Sequence, residues 1–199
     1  MNKTIPLIFL LLLTLASCEK VDLPTEEKPQ PDEVVEDTVT IPVTPPQNPD
    51  SLSLDEIIEY VEYHGLTEET AFSVHDVLHL IPPYLEYHEA IGIPDVYVCG
   101  FIVGFITKNK NNISHAVFAT GDVETNIVIA DSIGEKDYHN CIAIQLSTGT
   151  KAQKEIREGL NLSAHPENLG RFVILHGNIA QYMGTLGLKS VNDAVLYTE

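Results

Sequence analysis

The chain predicts a mainly β fold: a five-stranded barrel with one helix between its third and fourth strands, preceded by one or two short helices. Three observations carry that reading. The stretch Val96 to Ile106 is rich in β-branched and aromatic residues and holds two glycines, Gly100 and Gly104, that permit a strong bend. Strand-like stretches then follow in the order strand, strand, strand, helix, strand, strand. Helical periodicity is otherwise confined to two short runs that precede the first strand.

Ser53-Leu54-Asp55-Glu56 has the form of a capping box, and Leu54, Ile57, Ile58 and Val61 recur at helical spacing until Gly65. A short amphipathic helix is expected over residues 54 to 64. Val74, Val77, Leu78 and Ile81 form a second periodic set. That helix is expected to end at Pro82-Pro83, because proline disfavours a helical residue before it and cannot continue the hydrogen-bond ladder.

From Asp95 the period changes from 3.6 towards 2. The first strand ends in the turn-rich Lys108-Asn109-Lys110-Asn111-Asn112. Ala116 to Ala119 and Asn126 to Ala130 read as a second strand region interrupted around Gly121, and Cys141 to Leu146 as a third. Thr150 to Leu160 reads as a helix, with Ala152, Ile156 and Leu160 on one stripe and the pairs Lys151/Glu155 and Lys154/Glu158 four apart. Arg171 to Leu175 and Asn178 to Tyr182 make a fourth strand kinked near Gly177, and Ala194 to Thr198 a last one. A bent first strand and a helix between strands three and four are what a five-stranded OB-fold barrel requires, since the helix plugs the barrel end while the chain crosses over. Closure also removes exposed edges. A two-layer α+β sheet is the competing arrangement.

The start of the chain supplies an address. Lys3, the apolar run Ile5 to Leu13 and then Leu15-Ala16-Ser17-Cys18 have the form of a lipoprotein export signal, cut so that Cys18 carries lipid. The run is too short to cross a hydrocarbon core of roughly 30 Å as a helix. Residues 1–17 are expected to be removed, and the membrane to be reached through lipid on Cys18. Residues 19 to 50 hold seven prolines and nine acids, with no glycine and no aromatic residue. Such a segment buries too little apolar surface to offset its ordering entropy, so residues 18–52 are expected to be a disordered stalk reaching up to roughly 100 Å.

The expected organisation is completed by a short helical region over 53–71 and one barrel domain over 72–199. Net charge is −18 and unevenly placed. Residues 19 to 93 carry eighteen acids against Lys20 and Lys28, whereas residues 94 to 199 carry eleven acids against eight bases. This acidity disfavours general capture of nucleic acid by the whole molecule. Cys99 and Cys141 lie in strand-like segments, where a small buried thiol is a common core filler. A disulfide between them is the less favoured reading.

Val98-Cys99-Gly100-Phe101-Ile102-Val103-Gly104 and Asn126-Ile127-Val128-Ile129-Ala130-Asp131 resemble a family of uncharacterised OB-fold domains found in lipoproteins of Gram-negative bacteria. Ile144-Gln145-Leu146, Leu160-Asn161-Leu162, Leu169-Gly170-Arg171 and Gly177 through Ser190 agree with it. The likeness spans about residues 72 to 199 and departs over 80 to 94, which reads as an insertion. It implies a fold and an outer-membrane address, periplasmic or surface-exposed, but no activity.

His75-Asp76-Val77-Leu78-His79 places two histidines four apart on a helix, where they could share a metal ion. A zincin helix, however, needs glutamate directly after the first histidine, and that place is taken by Asp76. The plainer reading is two histidines flanking the apolar stripe of a surface helix. Tyr97, Phe101 and Phe105 share one parity of the first strand and Tyr182 sits near a loop. Aromatic residues on an OB sheet can stack on bases or sugar rings, although alternate aromatics more often form half of a barrel core. Lys108 and Lys110 lie in the loop after the first strand, where OB-folds commonly bind ligands. No G-x-S-x-G, P-loop or G-x-G-x-x-G motif occurs.

The expectation is therefore a lipid-anchored envelope protein carrying a non-catalytic OB-fold module for a glycan or protein partner, with no cofactor. Binding of single-stranded nucleic acid, beside an extracellular nuclease, is the alternative. A zinc-dependent enzyme centred on His75 and His79 is the third reading.

Overall fold

Alternating apolar residues and the glycine-permitted bend build β1 (Gly92–Ile106), the longest strand of the computed structural model, which describes residues 52–197. The expected export signal, lipidated Cys18 and nearly all of the expected stalk lie outside the described residues. After β1 come β2 (Ala116–Val117), β3 (Asn126–Ala130), β4 (Cys141–Gln145), a helix described below, β5 (Phe172–Tyr182) and β6 (Thr185–Leu196). The sheet runs β2-β1-β3-β4-β6-β5, and β1 pairs again with β5, so five strands close into a ring. All neighbours are antiparallel except β4 and β6, which run parallel. The result is an OB-like barrel with β2 as an added strand on the end of β1. Gly104 permits that addition, because a Cβ there would collide with the Val117 carbonyl oxygen.

Two helical segments precede the barrel. In α1 (Leu54–Tyr63) the Ser53 and Glu56 side chains cap each other's backbone as a box, and Ile57 and Val61 face inward. The second segment does not stop at its prolines. A single π-helical turn, Asp76–Leu80, passes into α2 (Ile81–Tyr87), and Pro82 and Pro83 occupy the first turn of α2. The Ile81 N–H reaches back five residues to the Asp76 carbonyl, which resets the ladder where the proline N–H groups are absent. Phe72, Val74, Val77, Leu80 and Ile81 share one core with Val98, Ile102, Ile127, Ile142 and Leu175 of the barrel. The helices are thus packed on the barrel.

The third helix, α3 (Lys151–Leu160), joins β4 to β5 as the fold requires, with a Thr150/Gln153 capping box. The expected second strand region is two separate strands on opposite edges of β1. The last strand begins at Thr185, nine residues before its expected start at Ala194. Its origin is a two-residue hairpin: Tyr182 pairs with Thr185, and Met183 and Gly184 both have positive φ, 54° and 84°. That primed turn matches the twist of the flanking strands, but its usual Asn-Gly signal is missing here.

A second apolar cluster lies on the outer side of the barrel. Val103, Val128, Ala130, Cys141 and Ala143 are buried there against Ile113, Ala116, Phe118, Tyr138, Tyr182 and Met183. The β1–β3 loop and its neighbours therefore cover the face of β1, β3 and β4.

Candidate functional site

The other outer wall, formed by β1, β5 and β6, is only partly open: Ile174 at its middle is buried, while Tyr97, Phe101, Phe172 and His176 are half-buried. Register places three rows across it: Tyr97, His176 and Asp193; Cys99, Ile174 and Val195; Phe101, Phe172 and Tyr197. Valines and leucines of opposite parity (Val96, Val98, Val173, Leu175) point into the barrel, so strand alternation sends these side chains outward. Tyr97 and His176 pack at a tilt of 31° with ring centroids 4.3 Å apart. Phe101 meets Phe172 edge-on at 5.2 Å, and Phe172 meets Tyr197 in the same way at 5.7 Å. The two aromatic rows are four residues apart along β1, or about 13 Å. Leu169 and Ile133 extend the exposed apolar surface beside the Phe101 row, Ile133 being 66% exposed.

Polar groups rim the first row. His176 Nδ1 is 2.8 Å from Asn192 Oδ1, and its Nε2 lies 3.4 Å from Asp95 Oδ1. The Asp95 N–H donates to Asn178 Oδ1 at 3.0 Å. Asp95 has φ of 62° at the irregularity between Ile93 and Val96, and Ser190 has φ of 54° where β6 bulges beside His176. Such left-handed backbone at non-glycine residues gathers at functional surfaces because the surrounding structure must hold it.

Of the residues expected to bind, Tyr97 and Phe101 are brought together on this face. Phe105 is not: the register of β1 against β3 shifts between Ile102 and Gly104, which reverses the parity and sends Phe105 into the core, 6% exposed and against Gly121. Tyr182 lies half-buried in the covered outer cluster, where burial raises its hydroxyl pKa. Lys108 and Lys110 are exposed in the loop after β1.

His75 and His79 stack at 4.4 Å and line a small pocket of about 200 Å³ with Asp131 and Glu135. His75 Nε2 is buried there with no hydrogen-bond partner among the described residues. Among the described residues no group of three or more His, Cys, Asp or Glu side chains is arranged to hold a metal ion. Among the described residues Cys99 and Cys141 are free thiols, not bonded to each other.

The sequence reading missed Phe172, His176, Tyr197 and Asp95. Phe172, Ile174 and His176 alternate within a strand, but what makes them a site is their register with Tyr97 and Phe101, a pairing of residues about 75 positions apart.

A larger cleft, about 580 Å³, lies between α3 and the entry to β3. The Arg157 guanidinium crosses it to Glu124 Oε2 at 3.0 Å and separates it from an adjoining cleft of about 240 Å³ that Lys108 lines.

Among the described residues no helix is long and apolar enough to cross a membrane. A family model described as a domain of unknown function, DUF6359, matches residues 86–197. No curated protein sequence matches the chain.

Proposed function

The chain belongs to the DUF6359 family, and on that premise we propose that it is a non-catalytic binding module holding a glycan on the outer face of β1, β5 and β6. The observation that supports the reading is the pair of aromatic rows, Tyr97 with His176 and Phe101 with Phe172 and Tyr197. They lie on a partly open sheet face and are rimmed by Asp95, Asn192 and Asp193. Flat rings meet the apolar faces of sugars, while carboxylates and amides at the rim accept and donate to hydroxyls. Two rows about 13 Å apart offer two stacking positions to one extended chain. The face of β1, β3 and β4, where OB barrels commonly bind, is occupied by this protein's own residues.

Single-stranded nucleic acid is the poorer fit, because Asp95 and Asp193 flank the first row and would repel a phosphate backbone. A lipid on Cys18 would tether the module to the outer membrane, periplasmic or surface-exposed, with the proline-rich segment as its stalk. Radiolabelled palmitate incorporation that disappears in Cys18→Ser tests that address.

The glycan reading is tested by screening the purified chain on a glycan array and titrating the best ligand calorimetrically. Tyr97→Ala and His176→Ala are expected to weaken binding tenfold or more, with unfolding midpoints close to wild type. Absence of any glycan ligand, or binding indifferent to both substitutions, would sink the reading and leave a protein partner for the same face.

A further inference from the structure

The cleft beside α3 has a chemistry unlike that of the aromatic face. Lys154, Arg157, Glu158 and Asn161 recur at positions i, i+3, i+4 and i+7, so one stripe of the helix forms one wall. Ile156 and Leu160, on another stripe, pack against the core. Glu124 and Thr148 stand on the opposite wall. The i,i+4 pair that the sequence suggested between Lys154 and Glu158 is absent: among the described residues Lys151 pairs with Glu155, whereas Lys154 has no carboxylate within 4.0 Å. Among the described residues Lys154 is thus a cation without an ion pair at the cleft wall.

The lining sets Lys154 and Arg157 beside Glu124 and Glu158, and because Arg157 is paired with Glu124, the cation left without an ion pair among the described residues, Lys154, is the observation that supports an anionic occupant. Lys108 lines the adjoining cleft. Arg157 is oriented by Glu124 and keeps further N–H donors for a carboxylate. Ala164 is the one apolar residue of the wall, and the rest of its apolar surface is the carbon stems of polar side chains. Glu124, Glu158 and the Thr148 hydroxyl suit a ligand rich in hydroxyl groups. The same two glutamates oppose a doubly charged phosphate.

We propose that this cleft is a second binding site, separate from the aromatic face, for a carboxylated saccharide whose acid group meets Lys154 and Arg157. Its volume of about 580 Å³ falls within the range of small-ligand sites. The test titrates the full chain with trigalacturonate and with the uncharged galactotriose, and follows α3 amide shifts by NMR. The acid trisaccharide is expected to bind and the neutral one not. Lys154→Glu, at an exposed helix position, is expected to weaken binding at least tenfold, and Tyr97→Ala to leave it unchanged. No binding of trigalacturonate, equal binding of both sugars, or indifference to Lys154→Glu would overturn the proposal. Loss with Tyr97→Ala alone would move the acid sugar to the aromatic face, overturning this site while leaving the first reading intact.

Discussion

The Asn126 side chain completes the β1–β3 ladder by acting as a strand: its Oδ1 accepts the Ile106 N–H at 2.6 Å and its Nδ2 donates to the Ile106 carbonyl at 3.2 Å. Asn126 is 3% exposed, so no water can replace it. It fixes where β1 ends and where the loop carrying Lys108 leaves the barrel. Asn126→Ala strands a buried donor and a buried acceptor, each costing about 1–3 kcal/mol. A loss of about 2–4 kcal/mol in urea unfolding is expected; a loss under about 0.5 kcal/mol would mean that the ladder end rearranges.

The aromatic residues of β1 divide into two energetic classes. Phe105 is in the core, so Phe105→Ala is expected to cost about 3–5 kcal/mol through transfer and cavity terms. Tyr97, half-buried and packed on one side by His176, is expected to cost about 1 kcal/mol on truncation. Equal losses in denaturant unfolding would contradict the reversal of parity at Val103.

Asp131 ties the helical segment to the barrel. Its two carboxylate oxygens accept the N–H groups of Val74 and His75, both at 2.7 Å. Removing both charge-assisted bonds in Asp131→Ala is expected to cost about 2 kcal/mol, discounted for the exposure of the side chain. Amide hydrogen exchange from Val74 to Leu80 should quicken more than exchange in β3 and β4. Uniform quickening would show that the segment has no opening of its own.

Both thiols titrate high. Burial first, then the charges of Asp131 and Asp76, push Cys99 up to about 11. Burial, with Glu135 and Asp137 behind it, pushes Cys141 up to about 12. At pH 8 the Cys99 thiolate is about a hundredfold scarcer than for a thiol of pKa 9, and since a more basic thiolate is the better nucleophile by about tenfold, reaction with Ellman's reagent should lag free cysteine by about tenfold or more in the folded state. Tyr60, half-buried and donating to Asp76 at 3.1 Å, also titrates above its ordinary range. Folded values above unfolded ones mean that the native state holds these protons more tightly. Their contribution to stability is complete below about pH 9 and is lost as pH rises through 11 to 12. Cys141→Ala should flatten part of that alkaline decline. A decline that begins below pH 8 would point to other groups.

Most of the barrel was legible because its signals are local. The Ser53/Glu56 box, the period-2 run of β1 and the Ile156/Leu160 stripe of α3 each declare an element within a dozen residues. The candidate face was half legible. Tyr97 and Phe101 stand out on β1, but His176 and Phe172 become their neighbours through strand register alone.

By itself the sequence determined the element types and their order, with the helix between β4 and β5 that closes an OB-like barrel, because hydrophobic period and capping residues act over short range. Tertiary structure decided which way each side chain faces. One register shift near Val103 buried Phe105, a Met183-Gly184 turn lengthened β6 to Thr185, and the loop after β1 covered one face and left the other partly open. These outcomes depend on contacts between residues far apart in the chain, whose geometry no local pattern encodes.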